Sequence, residues 1–265
     1  MSRKTGGRKI DSSKKTEKLF TNKNYDIKGN RQLHSPKIIL LCEDTASAYY
    51  YYKYFVQQYK LNVDLEPKIR GVGSVKIDRP NGLNNIFHKA ALFHERNNMQ
   101  QIMMAYDTDE FYRKTNPKIR CKKAYERFVS DNSNHGKFVY LDTFPCFEYW
   151  LYLHYSQSDK YFESFESLVP ELNKLLKKYK FKSLEGSVCS RYSKAASFWV
   201  KKENNEYKYL ATNFPILNLK QAISYSKKHT AVIGTNSHSN IWKFFNEFKN
   251  SIPEIADAFN DKNKA

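Results

Sequence analysis

Cysteine, glycine, proline and negative charge are all scarce in this chain. The four cysteines, Cys42, Cys121, Cys146 and Cys189, form no CxxC pair. That argues against a structural zinc and a disulfide framework, and it predicts a reducing, cytoplasmic setting. Cys42 and Cys146 lie in apolar stretches and read as buried free thiols. No apolar run approaches the ~20 residues of a membrane span. The start, MSRKTGGRKI, has no apolar segment behind its charges and does not read as a secretory signal. Neither a GxGxxG fingerprint nor a GxxxxGK loop occurs, so any ATP chemistry must come from another chain. The shortage of acid matters most. Against 45 Lys and Arg stand 27 Asp and Glu, a formal net charge of +18. Such an excess attracts polyanions, nucleic acid before others; the alternative is a merely soluble basic protein.

What the chain does have is aromatic and apolar mass. Twenty Tyr and 18 Phe among 265 residues suffice for a real core, in one large domain or a core with an appendage. Residues 1–36 carry many Lys and Arg with almost no apolar periodicity and read as a basic arm, flexible when free. Residues 37–160 read as an α/β core. Residues 161–265 read as a mainly helical part packed on it, with helices near 161–179, 217–228 and 241–248, and an end that frays from about Ile252.

Within the core, apolar runs alternate with helical spacing. Lys37–Cys42 reads as a central strand, and Glu43-Asp44-Thr45 follows at once. Thr45 or Ser47 is the candidate cap of a helix over about 46–60. Its Tyr run suits packing on a sheet, with base stacking as the alternative. Residues 62–69 read as a second strand, and Leu83–Asn97 as a helix. Ile102–Tyr106 is a third strand, ending in Asp107-Thr108-Asp109-Glu110. After a basic loop and a helix over 121–129, Lys137–Leu141 is a fourth. Pro145 suits the first turn of the helix behind it. Strand, helix and strand in this order predict a mostly parallel sheet flanked by helices, and ligands of such sheets bind at the carboxyl ends of the strands.

The acids therefore converge on that edge. Residues two apart in extended chain point the same way, so Asp107 and Asp109 can face one point. Paired carboxylates repel unless a positive group sits between them, and a hard divalent cation, Mg2+ or Mn2+, is the natural occupant. Glu43 ends the first strand and joins them if the first and third strands are neighbours. Glu148 lies within about a turn of its helix start, where the helix dipole alone would favour it. His154, two turns along an apolar helix, reads as a hydrogen-bonded core histidine.

This combination resembles the RloB-like proteins of the Toprim superfamily, which is related to OLD-type nuclease domains. Glu43 matches the family's first-strand glutamate, and Asp107 and Asp109 its acidic pair. Pro145, Cys146, Phe147, Glu148, Trp150 and His154 match its PCFExWLLLH helix. Asn236–Asn240 resembles its NPST segment, without the proline and threonine. The glycine usual after the first-strand glutamate is Asp44 here. The resemblance spans about residues 36–250. It implies a Toprim-like Rossmannoid sheet and a Mg2+- or Mn2+-dependent nuclease cleaving RNA or DNA, the effector of an anti-phage system with an ATPase partner. Asp107, Asp109 and Glu43 would hold metal. Glu43 would be general acid/base or a ligand to a second ion, and Glu148 would hold a water or that ion. Arg70, Lys76, Arg79, Arg113, Lys114, Lys118 and Arg120 are the candidates to grip flanking phosphates. The rival from another class is a nucleic-acid-binding module without catalysis.

Overall fold

The computed structural model describes residues 38–66, 86–87, 89–90, 92–93, 101–109, 138–157, 160–214, 216–228 and 236–259. The expected basic arm, the helix over 121–129 and all seven candidate phosphate-gripping residues lie outside these. The described residues all fall within one compact unit, Pro36–Ala265.

Its centre is a five-stranded sheet in the order β2-β1-β3-β4-β7. Strands β1 (Ile38–Cys42), β2 (Val63–Glu66), β3 (Gln101–Asp107) and β4 (Phe138–Phe144) run parallel. The short β7 (His238–Ser239) pairs antiparallel with the end of β4. This is a mostly parallel α/β fold. The alternation of side chains along a strand sorts the core into two faces. Ile38, Leu40, Cys42, Met103, Ala105 and Leu141 face one cluster, which continues unbroken into residues beyond 160. Ile39, Leu41, Ile102, Met104 and Tyr106 face the other, with Ile86, Phe87 and Ala90. Each such side chain taken fully from water contributes on the order of 1.5–3 kcal/mol, so burial on both faces fixes β1 and β3 as the central pair.

Helix α1 (Ser47–Gln58) follows β1. Its start is held by Asp44, not by Thr45 or Ser47 as the sequence suggests. Asp44 Oδ1 accepts from the Ala46 amide at 2.7 Å and Oδ2 from the Ala48 amide at 3.0 Å. The Ser47 hydroxyl also donates to Asp44 Oδ2. A carboxylate here satisfies orphan amides and meets the positive end of the helix dipole. Tyr49, Tyr50, Tyr51 and Tyr52 are all buried, so the run packs rather than stacking bases.

Helix α2 (Glu148–Leu153) begins three residues after Pro145, later than Pro145 in a first turn would give. All six of its residues are buried. His154 ends it, fully buried, with Nε2 3.2 Å from the Tyr51 hydroxyl. Burial pushes its pKa down to about 3, so it is a neutral core histidine. Helix α3 (Phe165–Lys178) buries Leu168, Leu172 and Leu176. A short helix α4 (Ala196–Trp199) leads into an antiparallel hairpin of β5 (Val200–Glu203) and β6 (Glu206–Tyr209). Helices α5 (Ile216–Lys228) and α6 (Trp242–Glu247) follow. The expected fraying from Ile252 is not what is found. A 3-10 helix spans Pro253–Phe259, and Ile252, Ile255 and Phe259 are buried. Those apolar residues anchor an otherwise polar end. Among the described residues, no helix is long and apolar enough to cross a membrane.

Candidate active site

Strands β1 and β3 are neighbours, with Cys42 opposite Ala105. Their carboxyl ends therefore deliver Glu43 and Asp107 to one spot. Glu43 Oε2 accepts from the Asp107 amide at 3.1 Å, and Asp107 Oδ1 accepts from the Phe147 amide at 2.8 Å. The second bond ties the β3 carboxylate to the chain just before α2, and so to Glu148. Glu148 is completely buried. Its Oε1 accepts from the Tyr192 hydroxyl at 2.6 Å and lies 3.4 Å from Ser47 Oγ. Its Oε2 lies 3.4 Å from Lys194 Nζ and accepts no hydrogen bond.

A cavity of about 220 Å3 opens here, lined by Glu43, Asp44, Tyr52, Asp107 and Lys194 among others. Among the described residues, the buried Tyr52 hydroxyl finds no hydrogen-bond partner. A larger cavity, about 560 Å3, lies at the far end of α1, between Gln57, Gln58, Lys182 and Lys208. It has no carboxylate in its lining, so the smaller one is where acid chemistry can occur.

The electrostatics are those of crowded like charges. Burial, then Glu148 and Glu43, push the Asp107 carboxyl well above its ordinary range, and Lys194 pulls it back only in part. Burial also raises the Tyr192 hydroxyl, as does the Glu148 charge. Burial works against the Lys194 ammonium, but Glu148, Asp107, Cys146 and Asp44 together raise its pKa, so it stays charged.

The sequence-derived residues thus fare differently. Glu43, Asp107 and Glu148 are brought together. Asp109, two residues past the end of β3, does not line the cavity. Asp44, where the resemblance has glycine, both caps α1 and lines the cavity. Tyr192 and Lys194 come from a polar, basic stretch that reads in sequence as a backbone-binding or solvated face. Their one local signal is position, between the apolar anchors Cys189 and Trp199, which are both buried.

A family model of RloB-like proteins matches residues 38–248. The chain belongs to the RloB-like proteins. No curated protein and no solved structure matches it. The matched span runs from β1 through α6 and contains every residue of the carboxylate corner.

A divalent metal, which the resemblance implies, can be tested against the residues present. Glu43, Asp107 and Glu148 offer hard oxygen donors, and two buried polar atoms at the corner, Tyr52 Oη and Glu148 Oε2, accept or donate no hydrogen bond. Donors of this kind suit Mg2+ or Mn2+. Among the described residues no three His, Cys, Asp or Glu side chains stand in a ready-made ligand arrangement. The carboxylates bond instead to backbone amides, a tyrosine and a lysine. The donor chemistry fits a cation, and its entry would have to exchange these partners.

Proposed function

We propose that this RloB-like protein is a Mg2+- or Mn2+-dependent nuclease hydrolysing phosphodiester bonds of RNA or DNA. The observation that carries this is the meeting of Glu43 and Asp107 at the ends of adjacent parallel strands, beside the buried Glu148. Three acids gathered at a sheet edge are costly unless a cation or a reacting proton uses them. The net charge of +18 supplies attraction for the phosphate backbone.

Asp107 and Glu43 would hold the cation, with Asp109 a further ligand. Held there, Mg2+ or Mn2+ would supply positive charge against that building on the phosphoryl and leaving oxygens and would acidify a water. The chain's own residues supply the rest. The Phe147 amide fixes Asp107 in orientation, and the Asp107 amide does the same for Glu43. Glu43, half-buried at the cavity wall, is the candidate to take or give a proton; Glu148 would hold a water or a second ion. The basic residues Arg70, Lys76, Arg79, Arg113, Lys114, Lys118 and Arg120 would grip flanking phosphates. On the resemblance, the protein would act in the cytoplasm as the effector of an anti-phage system, with ATP hydrolysis in a partner chain.

The test is cleavage of end-labelled RNA and DNA, single- and double-stranded, with Mg2+, Mn2+ or EDTA. The wild type should cut at least one substrate with metal and none in EDTA. Glu43→Gln should lose turnover while still binding nucleic acid. Binding without cleavage under every metal condition would leave the nucleic-acid-binding module in its place.

A further inference from the structure

Lys194 stands out because Glu148 makes an unusual demand. A fully buried carboxylate must be compensated, since an isolated charge in the interior is expensive. The Tyr192 hydroxyl serves one of its oxygens; the other lies 3.4 Å from the Lys194 ammonium. At 3.4 Å that contact is longer than the ~2.7–2.9 Å of a charge-assisted hydrogen bond. The lysine side chain is 44% exposed while its partner is 0%. In the same position the ammonium sits 4.2 Å from the centre of the Phe165 ring, so ring and carboxylate share it. It is thus attracted strongly and held loosely.

Its anchorage confines movement to the side chain. The Tyr192 amide donates to Asn173 Oδ1 at 2.7 Å, and the Tyr192 hydroxyl is tied to Glu148. The Ala195 amide donates to Ser193 Oγ at 3.1 Å. The backbone is therefore pinned at Tyr192, two residues before Lys194, and four flexible methylenes carry the charge.

We propose that Lys194 is an exchangeable counter-ion: it occupies the cation's electrostatic position beside Glu148 and Asp107 when no metal is bound, and a divalent ion displaces it outward, toward the solvent at the cavity rim. The proposal rests on the metal-dependent reading above. A Mg2+ ion carries twice the charge and approaches carboxylate oxygen to ~2.1 Å, far closer than the ammonium stands, so its attraction for the carboxylates is the stronger. The corner is thereby kept from bare carboxylate repulsion in the metal-free protein, and the displaced charge remains at the cavity wall.

The experiment is a metal titration of the full chain without substrate. Lys194→Met keeps the stem and removes the charge. Calorimetry should show it binding Mg2+ or Mn2+ at least about tenfold more tightly than wild type, because a competing unit charge a few ångströms away is gone. In EDTA it should melt below wild type, and saturating Mg2+ should close that gap. Equal or weaker metal binding by Lys194→Met overturns the proposal and makes Lys194 a fixed structural partner. If neither protein binds either metal, the metal-dependent reading fails and the exchange with it. Should Lys194→Met not fold, amine acylation of the wild type read by mass spectrometry decides. Mg2+ should raise the labelling of Lys194 relative to the exposed Lys202, and unchanged labelling overturns the exchange.

Discussion

Asp107 and Asp142 sit on neighbouring strands, one register step apart: Asp107 lies opposite Thr143, and Tyr106 opposite Asp142. Their surroundings are opposite in sign. Asp142 is also desolvated, yet its pKa is lowered, because His238 and Asn240 face it. Its Oδ2 lies 3.1 Å from His238 Nε2, and its Oδ1 accepts from Asn240 Nδ2 at 2.9 Å. The Asn240 amide adds a 2.8 Å bond to its carbonyl, which clasps β7 to β4. Asp107 instead meets Glu43 and Glu148, and its carboxyl is raised. One aspartate is where a fold wants a negative charge. The other is where a fold merely tolerates it, which points to use rather than support.

The largest effect that would break this contrast is on turnover. Asp107→Asn should cut metal-dependent cleavage by roughly a thousandfold, as removal of a charged group acting on the transition state does. The same variant should melt higher than wild type in EDTA, because it relieves repulsion. Normal cleavage by a folded Asp107→Asn protein would mean that the crowding serves nothing chemical.

The pH dependence comes next. A carboxyl raised in the folded protein is stabilising when protonated, below about pH 3.9, and that contribution is lost as pH rises through its raised value. Wild type should therefore fall progressively behind Asp107→Asn in melting temperature as pH rises from about 4. A constant gap across pH would show that Asp107 is not crowded.

Asp142→Asn is the mirror case. Its depressed carboxyl contributes stability above about pH 3.9, lost as pH falls through the folded value. At neutral pH the variant should lose roughly 1.5–3 kcal/mol in denaturant titrations, with cleavage changed only severalfold. If cleavage collapses while stability holds, the clasp belongs to the active site after all. The smallest effect on turnover is expected of Tyr192→Phe, which removes one charge-assisted donor from Glu148. Roughly 1.5–3 kcal/mol of stability and a few-fold in turnover are its scale; a hundredfold loss would promote Tyr192 to a reacting group.

The strands and the first two acids were legible because they are written locally. Apolar runs such as Ile38–Cys42 and Ile102–Tyr106 stop abruptly at charges, and the parallel order brings those stops together. Asp109 was harder. Its spacing from Asp107 promised a shared direction only if the strand continued, and β3 ends at Asp107. Asp44 is masked as a cap in the sequence by Thr45 and Ser47, which stand nearer the helix. Tyr192 and Lys194 could not be found by pattern, since their partner Glu148 lies more than 40 residues back and no periodicity links the two. The end of the chain carried a readable sign that polarity masked: Ile252, Ile255 and Phe259 recur at helical spacing.

The aromatic core has a practical consequence. Trp199 is fully buried, and its ring centre lies 6.1 Å from that of Tyr192 and 6.1 Å from that of Phe147. It therefore adjoins both the segment that carries Lys194 and the residue whose amide holds Asp107. Trp150, also fully buried, donates its indole N–H to the Tyr51 hydroxyl at 2.9 Å, deep in the core and away from the polar corner. The protein thus contains a signal and a reference. Substituting Trp150 and Trp242 by phenylalanine leaves Trp199 as the sole tryptophan, and its fluorescence should follow rearrangement of the corner in real time without any attached dye.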